Sequence, residues 1–362
     1  MSERKKKSVL KIILKVLLWT VIVILLTALI LAGTLYLAMG MICGDTSPAA
    51  KKTFVATMLE TGAFKFIPSF YLSAEEIQTL VDDNKLVEFN DPVDTSMITI
   101  DVTHKDGEHS QQSGQKEEKD IEIIKLSGRT YQATLIIVKD PSRVSVATIY
   151  PWRSKGDTLD KIVEAAGAIG GINGGLYSSN GNTGGKPYGV VVSNGEIQYN
   201  SPSDYRGLVL IGMTEDNILQ IIDINGKSKN EVKQIIETNK IRDAVTFQEE
   251  SSDANNHFVQ LVINGQPRDM KGKGSGENPR TAIGQRADGA LLLLVTDGRG
   301  KNSHIGATAS DLISIMMEYG AVNAANLDGG SSSCMYYDGE YLMESCTFYY
   351  KSWNLPLAFV IK

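Results

Sequence analysis

Metal-ligand spacing is the first thing this chain lacks. It has three cysteines and four histidines in 362 residues, and none of them is spaced as a set of ligands. His104 and His109 fall in a polar stretch with no such partner. There is no Walker loop, no strand–G-x-G-x-x-G–helix unit and no G-x-Ser-x-Gly elbow, and the glycine run Lys271–Gly276 fits none of the three. P-loop nucleotide hydrolysis, dinucleotide binding and α/β-hydrolase chemistry are therefore not expected. No acidic loop has calcium-ligand spacing, so neither metal nor cofactor is expected. The absence of an N-x-Ser/Thr sequon disfavours a glycosylated secretory-pathway protein.

Charge is missing in one block, the 29 residues from Val16 to Gly44. Crossing a hydrocarbon core takes roughly 20 apolar residues. A cleavable signal peptide would have a shorter core of about 7–15 and a small-residue cleavage site. The cations Arg4, Lys5, Lys6 and Lys7 ahead of the block predict a cytoplasmic N-terminus, with everything after Asp45 outside. Cys43 follows Gly40-Met41-Ile42, a poor match to a lipoprotein signal. The reading is an uncleaved anchor, with the lipid bilayer as partner of residues 16–44. Residues 1–15 carry a net +5; subtracted from the whole-chain −6, this leaves −11 for the rest. That balance argues against nucleic acid as a partner. Any phosphate must be held by a local cationic site.

Residues 45–120 divide into membrane-proximal helices and a polar linker. The first helix falls near residues 50–64; in the second, Ser73 with Glu76 forms a capping box. From Asn90 to Asp120 the chain is polar, with a Lys116–Lys119 charge cluster. A compact domain is expected over 121–362. Strands are predicted at Ile121–Leu126, Tyr131–Val138, Val144–Tyr150 and Ala168–Ile172, with a helix capped by Asp157 between the last two. A hairpin turns at Asn194-Gly195. Leu208–Ile211, Leu219–Asp223, Val259–Ile263, Arg280–Gln285, Ala290–Thr296 and Ala321–Leu327 read as further strands. Helices are expected at Lys229–Lys240 and after Thr308, which with Asp311 suits a helix start. Strands and helices mix without repeats, so the fold class is α+β: a mixed β-sheet domain with a few packing helices, behind one transmembrane helix.

Cys334 and Cys346 lie outside the membrane, where a disulfide is permitted. A two-residue turn at Asp338-Gly339 would set Cys334 opposite Met343 and leave Cys346 about 10 Å out of register. Bridging them would need an irregular hairpin.

The most informative stretch is Asn326-Leu327-Asp328-Gly329-Gly330-Ser331-Ser332-Ser333. An apolar strand stops at a carboxylate, then two glycines and three hydroxyls follow. Such a turn can aim backbone N–H groups at an anion; it can equally be a tight Asp-Gly turn capped by serines. Ile172-Asn173-Gly174-Gly175, Pro279-Arg280-Thr281-Ala282-Ile283-Gly284 and Val295-Thr296-Asp297-Gly298-Arg299 are comparable breaks at strand ends. These four motifs, in this order, resemble the phosphodiester glycosidase family over roughly 121–362. Leu176-Tyr177 stands where the family often has two aromatics, and Ser331 where a third glycine is common.

The resemblance implies hydrolysis of a sugar C1–O bond in a sugar-1-phosphodiester. The departing phosphomonoester is a weak base, so strong general-acid help is less necessary than for an ordinary glycoside. The reaction asks for a cationic clamp, a carboxylate near an oxocarbenium-like sugar, and an oriented water or nucleophile. Arg280 is the leading clamp, since its planar fork can hold two phosphate oxygens; Arg299 is a second candidate. Asp297 and Asp328, on strands expected to be neighbours, are candidates for action at the anomeric carbon. Asn173, Gly174, Gly175, Thr281, Gly329, Gly330 and Ser331 are candidate substrate contacts. No histidine is spaced to make Thr281 or Ser331 a nucleophile, though His304 could assist proton transfer. The structural alternatives are an ion pair for Arg280 and turn capping for the aspartates and Asn173. The expected protein is a membrane-anchored extracellular hydrolase of bacterial envelope or cell-wall glycan metabolism. A rival of another class is a non-catalytic anchored glycan-binding or exopolysaccharide-assembly module.

Overall fold

A computed structural model describes residues 3–44, 46–61, 64–89, 91–100, 120–201, 205–249 and 257–362. His104, His109 and the Lys116–Lys119 cluster lie outside the described residues.

The charge-free block is a helix, α1 (Glu3–Cys43), running back through the basic tail. The most apolar 18 residues of its Leu10–Cys43 stretch have a mean hydropathy of 2.8, and the stretch is long and apolar enough to span a membrane. Thr20 and Thr34 turn their hydroxyls back to the carbonyls of Val16 and Ile30, so the apolar face exposes no unsatisfied hydroxyl there. The other helices are α2 (Pro48–Leu59), α3 (Ala74–Asp82), α4 (Leu159–Ala165), α5 (Lys229–Thr238) and α6 (Ala309–Glu318). The capping boxes at Ser73/Glu76 and Thr308/Asp311 are both present. The start of α4 differs: Thr158, not Asp157, is its N-cap. Asp157 instead pairs by backbone with Leu355 and takes an ion pair from Arg153.

Three antiparallel sheets of seven, five and five strands surround one core. The seven-stranded sheet runs Ile121–Ser127, Gln132–Val138, Leu291–Thr296, Thr281–Arg286, Ala321–Asn326, Gln260–Ile263 and Gln266–Pro267 in spatial order. Side chains alternate across it. Ile136, Leu293, Val295 and Ile283 face the common core with Ile172, Phe359, Ile211 and Val245 of the other two sheets. Leu135, Ile137, Leu292 and Leu294 face the opposite way, where Leu312 and Met316 of α6 cover them. α5 covers the outer face of the second sheet through Val232 and Ile236, and α4 the third through Leu159, Ile162 and Val163. Both faces of these strands are dry, so they read as continuous apolar runs.

Two expectations about pairing change. Strand Ile241–Gln248, not anticipated, lies at the centre of the second sheet between Gly189–Ser193 and Leu208–Thr214. The strands ending at Asp297 and Asp328 are not neighbours, because Thr281–Arg286 lies between them. Their ends are two inter-strand spacings apart, roughly 9.5 Å. The 335–343 hairpin is irregular, with a bulge that sets Met335 opposite Met343, yet Cys334, Cys346 and Cys43 are all free thiols.

The segment that follows α1 packs onto the sheets. Val55, Leu59, Leu72 and Val81 form a small core with Cys43 at the end of α1. Leu86 bridges Met270 and joins the cluster beneath α6. The Thr57 hydroxyl accepts the Glu277 N–H at 3.1 Å, and the Asn84 amide donates to the Ser275 carbonyl at 3.0 Å.

Candidate active site

A cavity of about 560 Å³ opens where the Thr281–Arg286 and Ala321–Asn326 strands end, and its walls come from segments far apart in sequence. Asp328, Gly329, Gly330, Ser331 and Ser332 line it together with Arg280, Arg299 and Asn278, and Tyr177, Phe258 and Trp353 contribute aromatic surface. Glu60, from the end of α2, also lines it.

The Asp328 loop is held from behind. Asn173, fully buried at the end of its strand, donates its amide to the Asp328 carbonyl at 2.6 Å. Its Oδ1 accepts the Thr281 hydroxyl at 2.7 Å and the Cys334 N–H at 3.2 Å. Asn173 and Thr281 therefore position the loop without lining the cavity. Gly174 and Gly175 serve packing: a Cβ would stand 2.3 Å from Leu357 Cδ1 and 2.5 Å from the Thr246 carbonyl respectively. The turn after Asp328 is largely spent inside the protein. The Gly330 N–H donates to the Pro279 carbonyl at 2.8 Å, and the Gly329 N–H supports the Asp328 carboxylate. The cradle serves the aspartate, where the sequence raised a ligand.

Burial pushes Asp328 up to about 6, against the downward pull of the Ser332 hydroxyl, the Gly329 N–H and Arg299. Tyr177, whose hydroxyl lies 2.8 Å from that of Ser332, is raised by burial and then by the Asp328 charge. Gly330, at φ +64°, makes room for Arg299: a Cβ there would meet Nη1 at 2.8 Å. Arg299 is itself left-handed, at φ +52°. Its Nε donates to Asn278 Oδ1 at 3.2 Å. Arg299 is exposed overall, but desolvation by the protein packed around its guanidinium lowers its pKa; the nearby Arg280 charge adds to that, while Glu60 and Asp328 oppose it.

Arg280 is 8% exposed and strongly committed. Its Nη2 donates to Glu60, to the Ser275 hydroxyl at 3.1 Å and to the Gly276 carbonyl at 2.8 Å, and its Nε to the Ala307 carbonyl at 3.3 Å. The guanidinium also lies 5.0 Å from the centre of the Phe258 ring. Asp297 does not line the cavity. One of its oxygens accepts the Gln132 N–H at 2.7 Å, and the other meets Asn302 Nδ2 at 3.1 Å and His304 Nδ1 at 2.8 Å. It thereby fastens the 298–306 loop, and His304 is its partner there.

Glu60, Asn278, Phe258 and Trp353 are among the cavity residues that the sequence did not reveal. Glu60 and Arg280 are 220 residues apart, and no local pattern links them. Among the described residues no group of His, Cys, Asp and Glu is arranged to hold a metal ion.

The antiparallel α+β fold has a known structural counterpart. The fold is similar to the catalytic domain of zebrafish N-acetylglucosamine-1-phosphodiester alpha-N-acetylglucosaminidase, auto-inhibited by pro-peptide. The TM-score is 0.52 at 18% identity, covering 68% of this chain and 85% of that one. The family model for phosphodiester glycosidases matches residues 166–362, more than half the chain, and the protein belongs to that family. A 66-residue stretch is 46% identical to the SPbeta prophage-derived uncharacterized protein YomE of Bacillus subtilis (strain 168), covering 18% of this chain. The chain spans about a tenth of the length of that relative.

Proposed function

We propose that the protein hydrolyses the C1–O bond of a sugar-1-phosphodiester, and that it does so outside the membrane from the anchor formed by α1. The observation that carries the reading is the meeting of Asp328 with Arg299 and Arg280 in one cavity of a phosphodiester glycosidase fold. Arg299 faces the phosphate, which leaves as a monoester whose negative charge it stabilises, and Arg280, tied to Glu60, adds its charge from behind. Asp328 acts at the anomeric centre. With a pKa of about 6 it can hold or release a proton close to neutrality, as proton transfer at that centre requires. Tyr177 and Trp353 offer aromatic faces to the sugar ring, while the Phe258 ring supports Arg280. A bacterial envelope or cell-wall glycan is the substrate class in keeping with an anchored, acidic, sequon-free chain.

The test is release of free sugar from UDP-N-acetylglucosamine, or from a methyl phosphodiester of a sugar-1-phosphate, by the full chain in detergent. Turnover that disappears in Asp328→Asn while ligand binding persists supports the hydrolase. Binding without turnover in the native chain would instead make it an anchored glycan-binding module.

A further inference from the structure

Glycoside hydrolysis ordinarily uses two carboxyl groups, and the cavity's second one is not Asp297, which is locked behind the 298–306 loop. We propose that Glu60, carried in from the membrane-proximal helix α2, is the second catalytic carboxylate and works with Asp328. The assignment rests on reading the cavity as a sugar-phosphodiester site.

Among the described residues, Glu60 is the acidic side chain besides Asp328 that lines this cavity. Its side chain is 5% exposed, and its oxygens have fixed partners. Oε1 accepts the Gly276 N–H at 2.7 Å; Oε2 accepts the Asn278 amide at 3.1 Å and an Arg280 N–H. The same Asn278 accepts from Arg299, so acid, amide and both guanidiniums form one connected set around the opening.

The docking is built into the fold. Gly276 admits the helix so closely that a Cβ there would lie 2.5 Å from the Thr57 N and 2.6 Å from the Ala56 carbonyl carbon. Thr57 and Asn84 add hydrogen bonds along the same seam. Glu60 lies outside the 166–362 stretch that the family model matches, so the site is completed by a part of the chain the family pattern does not include.

The two acids differ in what surrounds them. Glu60 is held by a guanidinium and two neutral donors. Asp328 sits in a setting that favours its protonated form. Two carboxyl groups lining one cavity can divide base and acid work between them. The Glu60 carboxylate takes a proton from water as the water oxygen bonds to C1. The C1–O bond breaks with its electron pair departing on the phosphate monoester, and Asp328 supplies that monoester with a proton. Solvent returns the proton from Glu60 to Asp328, and the atoms and charge balance.

Glu60→Gln keeps the size of the side chain but cannot accept the proton. In the full-length protein it should lower kcat at least 100-fold while KM stays within about threefold. Glu60→Ala in sodium azide should yield the glycosyl azide, because azide needs no base to attack C1. This product marks a chemical role that mere bracing of Arg280 cannot produce, and it is read from whatever fraction of the variant is folded. A kcat within threefold of native in Glu60→Gln overturns the assignment, as does a loss confined to KM with no azide product. If the native chain turns over nothing, the hydrolase reading falls and this assignment falls with it. If the native chain is active and Glu60→Gln equals it, only this assignment falls.

Discussion

At Asp328 function and stability should oppose each other. Its ordinary value of 3.8 describes the unfolded chain, and burial raises the folded value to about 6. The folded state therefore binds the extra proton between these limits. The associated stability is fully present below pH 4, is lost as pH rises through 6, and changes no further above that. Asp328→Asn removes the cost of the buried charge. It should be more stable than native at pH 7.5 by on the order of 1–2 kcal/mol, less than the full shift implies because the cavity admits water, and close to native at pH 4. Melting curves at both pH values check this; an equal difference at each would show that the shift is absent. Turnover should fall about 1,000-fold in the same variant. Gly330→Ala should be damaging for a different reason: its φ of +64° and the 2.8 Å approach to Arg299 Nη1 leave no space for a methyl. A loss of roughly 1–2 kcal/mol is expected. It should come with at least a tenfold rise in KM as the guanidinium is displaced, read from kinetics on the folded protein.

At the level of elements, Thr308 begins α6 with a reciprocal capping box, its hydroxyl accepting the Asp311 N–H while Asp311 accepts from the Thr308 N–H. Thr308→Ala should cost about 1 kcal/mol, seen in urea unfolding, with kcat within about twofold because the side chain is not in the cavity. An unchanged midpoint would mean that the first turn of α6 is held by packing alone. That cap was legible in the sequence, as were the Asn194-Gly195 turn and the apolar strands, because each depends on neighbours a few residues apart. Strand Ile241–Gln248 was not. Arg242-Asp243 near its start reads as a polar break, yet Asp243 accepts the N–H groups of Val146 and Asn194 while Arg242 donates to the carbonyls of Val144 and Pro141. Those charges are a stitch between sheets, and their partners are about 50 to 100 residues away. The site divides in the same way. Asp328, Arg280 and Arg299 could be chosen by residue type at strand ends, and all three line the cavity. Asp297 has the same local signature, and only the fold reveals that its oxygens are taken. Glu60 has no signature at all.

For the whole molecule, the Leu10–Cys43 helix, where it spans a membrane, decides on which side residues 121–362 lie. The four cations at residues 4–7, followed by 29 uncharged residues, predict that they face outward. The fold supplies a probe for this, since Phe348 is 100% and Tyr349 91% exposed in the loop after Ser345. Exposed loop tips are preferred sites of proteolytic nicking, and chymotrypsin cuts after aromatic residues. Both ends of this loop are fastened, by Ser345 donating to the Ser331 carbonyl at 2.7 Å and by the Tyr350 and Trp353 ring contact at 6.2 Å. The cut should therefore leave the sheets intact. Chymotrypsin added to intact cells should nick the chain between 347 and 350. Phe348→Ser with Tyr349→Ser should resist while keeping its melting temperature, because neither ring packs on the core. If the native chain is nicked only after lysis, the domain lies inside and the orientation drawn from the charges is wrong. Nicking of intact cells would put the cavity on the side where envelope glycans are found, with α1 holding it near the bilayer and α2 carrying Glu60 into its wall.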